Sequence, residues 1–421
     1  MNCVSTNGGI KNNSSDSAGG MPIRLYALDL LRMAAALSVF FYHTTFIGVL
    51  IKNWPQNLMI DASYYGDFGV DLFFVISGYV ITMSSENKTA SNFIRSRFIR
   101  IYPAFIACSI ITLLFDIALP LTDASERITT WAMSLTLFPP VIGGTFLSSV
   151  YWTLSVEITF YIMVAFLILT KIWGPKRREF VILWLLIALI NTYAINIGVT
   201  KNIISAIFQT DFAGHFVAGI ILYDIKTRKK IDLLDAIALA ICWALITTQV
   251  IRHNIYISDI NMIGNFSVSK YKLIFVAPII ITLVWLAANI KYVPSRKGIV
   301  IKIGLMSYPF YLLSSDFSFF ICVIFERNWL GLWTYKDTVT HDIRLGIALF
   351  GSLLLSFLVV RYLEPILRSR LAAMLYPAVL QPLQTLSDSI ILLSGRIATT
   401  TGQHTVLLQS QTPPAALVLH S

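Results

Sequence analysis

Leu25-Tyr26-Ala27-Leu28-Asp29-Leu30-Leu31-Arg32-Met33-Ala34-Ala35-Ala36-Leu37-Ser38-Val39-Phe40-Phe41-Tyr42-His43 is the stretch that decides the fold. The apolar run continues through residue 50. A helix crosses a bilayer core of about 30 Å with about 20 apolar residues, so this run is long enough to span. It has no small-residue cleavage site behind it and reads as an uncleaved first span. Ionisable groups inside a span are costly and mark a pathway or a site. Arg32 and His43 are eleven residues apart, nearly three whole turns, so they share a face about 16 Å apart along the axis. Asp29, one turn before Arg32, is placed to pair with it.

The rest of the chain has the same character. Its 421 residues are 56% hydrophobic and only 13% charged, and the mean hydropathy is +0.71. Soluble domains carry about 25% charged residues, so too few are present here to coat a water-soluble surface. The expected fold class is an all-α polytopic membrane protein. Spans are predicted at 25–50, 67–84, 101–119, 150–170, 179–198, 203–223, 233–251, 271–290, 299–325 and 344–364, about ten transmembrane helices in all. The apolar stretch 127–142, ending Pro139-Pro140, is too short to cross and reads as re-entrant or interfacial. Residues 1–23 are Asn/Ser/Gly-rich and expected to be disordered. Residues 24–370 form the transmembrane domain, and 371–421 form a Gln/Thr/Ser-rich tail, also expected to be disordered.

Basic residues orient the bundle. Each internal loop of one set carries four of them, for instance Lys88, Arg95, Arg97 and Arg100, or Lys171, Lys176, Arg177 and Arg178. No loop of the alternate set carries more than three. The richer set is cytoplasmic, and both termini then face the cytoplasm. The net charge of +10 is thereby explained without nucleic acid, since no basic face interleaved with aromatics is present. Cys3, Cys108, Cys242 and Cys322 are far apart and offer neither a disulfide framework nor metal spacing; no metal is expected.

Further polar groups lie inside the spans. Asp71 is about one turn inside the outer boundary of the second span, and Glu157 lies deeper than one turn in the fourth. By depth both match His43, where a carboxylate could orient an imidazole. Arg95, Arg97 and Arg100 stand at a cytoplasmic helix entry. Arginine forks suit a phosphate-bearing donor, while positive-inside anchoring and, for Arg32, snorkelling are the competing readings. Ser77-Gly78 reads as a close-packing pair. Asp211 and His215, i,i+4 in the sixth span, could form an ion pair or a site wall. Glu364 is placed to pair with cytoplasmic arginines.

These motifs, in order, resemble acyltransferase family 3, membrane proteins that O-acylate exported glycans and glycolipids. The likeness covers about residues 24–366. It rests on Leu28-Asp29-Leu30-Leu31-Arg32 with His43 after ten residues, Gly69-Val70-Asp71-Leu72-Phe73-Phe74-Val75-Ile76-Ser77-Gly78-Tyr79, Arg95 to Pro103, Trp152-Thr153-Leu154-Ser155-Val156-Glu157, Ser307-Tyr308, and Glu364-Pro365. The resemblance implies ten core helices in the inner (cytoplasmic) membrane of a bacterium and an acyl-CoA donor, acetyl-CoA in the commonest case, bound from the cytoplasm. It implies an outer acceptor hydroxyl on a polysaccharide, lipopolysaccharide or glycolipid. His43 matches the catalytic histidine of the family and Arg32 its partner arginine; Arg95, Arg97 and Glu157 also fall on motif positions. Where many members close the Tyr-Leu-Leu run with histidine, this chain has Ser314.

The resulting expectation is O-acyl transfer to a sugar hydroxyl. His43, Asp71 and Glu157 would be catalytic, and Arg32, Arg95, Arg97 and Arg100 would hold the donor. The rival expectation is a glycan or lipid exporter with a proton-coupled path through the buried charges. The sequence shows no clear inverted repeat or paired broken helices to favour it.

Overall fold

The computed structural model describes residues 25–51, 53, 54, 56–119, 123–193, 198–260, 268–291, 294–326 and 338–375. The expected disordered segment 1–23 and the part of the expected tail beyond Leu375 lie outside them. The described chain is helical. α1 (Tyr26–Leu50), α2 (Asp61–Ser85), α3 (Ala90–Ala118) and the short α4 (Ala124–Ser134) are followed by α5 (Ser149–Leu169) and α6 (Arg177–Tyr193). Then come α7 (Gly198–Phe208), α8 (Ala213–Arg228), α9 (Leu233–Ile260), α10 (Lys270–Asn289), α11 (Lys297–Glu326), α12 (Thr338–Leu358) and α13 (Glu364–Leu375). A π turn, Val359–Leu363, joins the last two without a break. Helix thus continues to Leu375, five residues into the segment expected as tail.

Among the described residues nine helices are long and apolar enough to cross a membrane. The tenth predicted span is α6, whose 17 residues lie at the lower limit for crossing. Large apolar side chains such as Ile162, Phe166, Leu183, Phe350 and Leu354 are exposed. So wide an apolar surface requires a lipid environment.

α1 is built on an Ala-rich first half that favours helix, but it does not stay regular. A π turn occupies Tyr42–Ile47, with the Gly48 N–H donating to the His43 carbonyl five residues back. Thr44 and Thr45 each donate through Oγ1 to a carbonyl one turn earlier, Phe40 and Phe41, at 2.8 Å. Such back-bonding loosens the helical ladder, and π turns are a common device at functional sites.

α2 opens as a 3₁₀ helix, Asp61–Phe68, and lies against α1 with almost no side chain between them. A Cβ on Gly66 would fall 2.1 Å from the Ser38 carbonyl oxygen, so only glycine fits. The same device seats α2 on α8: a Cβ on Gly78 would meet the Phe216 carbonyl oxygen at 2.1 Å, and one on Gly219 the Val75 carbonyl oxygen at 2.1 Å. Small residues let helices approach where lipid supplies no hydrophobic drive.

The expected sixth span is discontinuous. α7 ends at Phe208 and α8 begins at Ala213. α6 satisfies the freed polar groups: Trp184 Nε1 donates to the Phe208 carbonyl at 2.6 Å, and Asn191 Nδ2 to Thr210 Oγ1 at 2.7 Å. Broken backbone at membrane depth is tolerated only when buried in protein like this. The stretch 127–142 is α4 followed by a 3₁₀ turn at Pro139–Ile142, tied to α3 by Asp116–Arg127 at 3.6 Å and by Trp131 Nε1 donating to Ser109 Oγ at 3.1 Å. Arg344 on α12 is buried with its guanidinium 5.0 Å from the Phe325 ring centre.

Helix ends expected on one side do meet. Arg177, opening α6, bridges Glu86 after α2 at 2.8 Å and Asp224 late in α8 at 2.5 Å. Arg100 lies within electrostatic reach of Glu364, whose direct partner is Arg368 at 2.7 Å.

Candidate active site

A cleft opens between α1, α2, α3, α5 and α11. It holds about 790 Å³ of empty space, open mouth included. Its polar lining comes from five helices: Arg32; Ser77; Arg97 and Arg100; Thr153, Glu157 and Tyr161; and Ser307, Tyr308 and Tyr311. Thr153, Glu157 and Tyr161 recur at i and i+4 on α5, so one stripe of that helix faces the cleft.

Glu157 organises the floor. Its Oε1 accepts from Ser77 Oγ at 2.7 Å and from the Tyr161 hydroxyl. Arg32 and Arg97 both lie within electrostatic reach of this carboxylate. The Arg97 guanidinium sits 5.7 Å from the Phe93 ring centre and 5.9 Å from that of Tyr161. Aromatic faces hold a guanidinium while leaving its N–H fork free. Arg32 is tethered to Asp29, Nη1 to Oδ1 4.0 Å, as the sequence indicated. Three lining arginines against Glu157 and the Asp29 behind Arg32 leave the cleft positive, which suits a polyanionic ligand. The Tyr308 hydroxyl is buried and has no hydrogen-bond partner among the described residues. A buried polar group left unpaired is costly, so a ligand in the cleft would complete it.

Not every expected site residue is here. Arg95 is exposed and does not line the cleft; it lies two residues from Arg97, on another side of α3. His43 does not line it either. It stands in the π turn of α1, beyond the cleft on the side toward Leu50. Asp71 does not turn to His43. Its Oδ1 lies 2.7 Å from Nε2 of His215 on α8, both buried. Helical phase is the reason. Asp71 and Gly78 are seven residues apart and so share a face of α2, and Gly78 is pressed against α8. Asp211 does not pair with His215; it is exposed and accepts from Ser205 Oγ at 2.9 Å. Equal depth therefore did not bring His43, Asp71 and Glu157 to one point. Each faces a different neighbour.

The structure adds residues that sequence reasoning missed. His253 Nε2 lies 2.8 Å from Asp67 Oδ2, and the Tyr64 hydroxyl donates to Asn254 Oδ1 at 2.7 Å. His253 and Asn254 lie beyond the predicted seventh span, 233–251, whereas α9 runs on to Ile260, and Tyr64 precedes the predicted second span, 67–84. Tyr311 links the two polar regions: it contacts Thr153 at 3.1 Å and lies within electrostatic reach of both Glu157 and Asp67. Among the described residues no group of three or more His, Cys, Asp or Glu could hold a metal ion. Cys108 and Cys242 are buried thiols, and the buried Cys322 thiol donates to the Asn53 carbonyl.

Comparison with known proteins agrees with this architecture. An acyltransferase domain family matches residues 25–377. The chain is 32% identical to Nodulation protein 10 of Rhizobium leguminosarum bv. viciae over 173 residues, 36% of this chain and 45% of that protein. It is 28% identical to Acyltransferase MdmB of Streptomyces mycarofaciens over 149 residues, 33% of this chain and 38% of that one. To O-acetyltransferase OatA of Staphylococcus aureus it is 27% identical over 241 residues, 53% of this chain and 35% of that one. The match spans less than half the length of each of these relatives. No solved structure matches the chain significantly. With the family match running from the start of α1 to the end of α13, the chain belongs to the family-3 acyltransferases, polytopic helical proteins of the membrane.

Proposed function

We propose that the protein is an O-acyltransferase that moves an acyl group, acetyl in the simplest case, from cytoplasmic acyl-CoA to a sugar hydroxyl on the far side of the membrane. The acceptor belongs to an exported polysaccharide, a lipopolysaccharide O-antigen or a glycolipid. The location is the inner membrane of a bacterium, with both termini cytoplasmic. The observation that carries the reading is the arginine-lined cleft floored by Glu157 within a family-3 acyltransferase bundle.

In this mechanism Arg32, Arg97 and Arg100 hold the donor's phosphates and thioester arm from the basic side of the bundle. Arg95 belongs to the entry, outside the cleft. Glu157 fixes Tyr161 and Ser77 around the arm and balances part of the arginine charge. His43, about 16 Å further along α1, takes the proton of the acceptor hydroxyl. The hydroxyl oxygen forms the new ester bond, the thioester C–S bond breaks, and the thiolate leaves on the cytoplasmic side and takes up a proton there. Asp71 enters only by bracing α2 against α8.

The experiment uses purified protein in lipid vesicles with labelled acetyl-CoA inside and a glycan acceptor outside. Wild type should transfer label, and His43→Ala should not, with insertion and abundance unchanged. Wild-type transfer by His43→Ala overturns the assignment. The break between α7 and α8 favours a second reading, a glycan or lipid exporter, since discontinuous helices line transport sites. An exporter should neither bind nor hydrolyse acyl-CoA.

A further inference from the structure

Asp67 stands where the N-terminal part of α2 meets the middle of α1 and the C-terminal part of α9. It lies between Gly66 and Gly69, and both touch the α1 backbone: added Cβ atoms would fall 2.1 Å from the Ser38 carbonyl oxygen and 2.6 Å from that of Ala35. Two further bonds stitch this part of α2 to the π turn that carries His43. Thr45 Oγ1 donates to Ser63 Oγ at 2.9 Å, and the Ile60 N–H donates to the Thr45 carbonyl at 3.1 Å. From α9, His253 Nε2 reaches Asp67 Oδ2 at 2.8 Å. The neighbouring Asn254–Tyr64 bond at 2.7 Å fixes the register of α9 against α2.

The charge of Asp67 reaches His43, Tyr42, Tyr64 and Tyr311. Asp71 is the other carboxylate nearby, and it is committed to His215. The Asp67 and His253 side chains are 20% and 35% exposed, so the pair reaches the surface from which an acceptor would come, whereas Asp71–His215 is sealed.

We propose that Asp67, held by His253, is the positioning carboxylate of His43, while Asp71–His215 is a structural clamp. The proposal rests on the reading of His43 as the base of acyl transfer. Within electrostatic reach of the ring, the carboxylate supports the imidazolium that forms as the hydroxyl proton is taken. His253 occupies one carboxylate oxygen, which fixes the direction of the other. No bond in the transfer is made or broken at Asp67 or His253; the proton stops at His43 before it leaves.

The test uses the whole protein in vesicles with acetyl-CoA. Asp67→Asn should lower kcat by about 100-fold, leave KM for acetyl-CoA unchanged, and displace the acid limb of the pH–rate profile toward lower pH, because the imidazolium loses its counter-charge. Asp67→Glu should restore part of kcat. His253→Gln should move the same limb with a smaller loss of kcat, and it carries the test alone should Asp67→Asn fail to assemble. Tyr42, Tyr64, Tyr311 and Asp71 are the other titratable groups around Asp67 and are unchanged in these variants. Wild-type kcat and an unmoved profile in Asp67→Asn overturn the proposal, as does an unmoved profile in His253→Gln where that variant stands alone. Loss of kcat in Asp71→Asn but not in Asp67→Asn also overturns it. Activity retained by His43→Ala would instead overturn the reading of His43 as the base.

Discussion

Asp71 Oδ1 lies 2.7 Å from His215 Nε2, and this contact ties the N-terminal half of α2 to the first turn of α8. Gly78 and Gly219 close the same interface toward its other end. The pair is therefore part of the assembly of the bundle. Removing one partner of a buried pair leaves the other unsatisfied. Asp71→Ala should cost about 3 kcal/mol, read as a lower unfolding temperature in detergent. Molecules that do assemble should keep their rate of transfer. Unchanged stability with lost activity would contradict the clamp.

The arginines of α3 should separate by position. Arg97 and Arg100 line the cleft and Arg95 does not. Losing one charge-assisted contact to a donor phosphate costs about 1.5–3 kcal/mol, at least a tenfold rise in KM for acyl-CoA. Arg97→Ala and Arg100→Ala should show it, and Arg95→Ala should not. Equal effects at all three would point to membrane anchoring instead.

At Glu157 the test is charge against shape. Glu157→Gln keeps an acceptor for Ser77 and Tyr161 but removes the negative charge among Arg32 and Arg97. The protein should fold normally. Its kcat should fall about 100-fold, in a steady-state assay with acetyl-CoA. Wild-type kcat would reduce Glu157 to a hydrogen-bond fixture.

Tyr308 offers the converse case. Its hydroxyl is buried without a partner among the described residues, so Tyr308→Phe should leave stability unchanged or raise it by up to about 1 kcal/mol, read from the unfolding temperature. If the hydroxyl meets the donor, affinity for acyl-CoA should drop at the same time. A measurement of both on one preparation separates the two effects. A large loss of stability would mean that the hydroxyl is already satisfied in the folded protein.

Much of the architecture was legible along the chain. Apolar runs of bilayer length and the alternation of basic loops placed the helices, and the meeting of Arg177 with Glu86 and Asp224 agrees with that alternation. The lining of the cleft was legible in part. Arg32, Arg97, Arg100 and Glu157 are ionisable groups in or beside spans, where their cost singles them out. The break at Gln209–Phe212 was not legible, since its groups are satisfied by Trp184 and Asn191 on another helix. Nor was the π turn at His43, because hydropathy does not register one extra residue in a turn.

The sequence by itself determined which segments cross, which groups are too costly to be idle, and the depth of each, because span length and axial rise are properties of a single helix. Only the tertiary structure decided partners. Rotation of each helix about its axis is set by packing, and in lipid that packing is governed by glycines such as Gly66, Gly78 and Gly219. They turned Asp71 to His215 and left Asp67 beside the π turn, while the packing of α1, α3 and α5 around one cleft lined it with Arg32, Arg97, Arg100 and Glu157. Depth is local to a helix, whereas lateral neighbourhood belongs to the whole bundle.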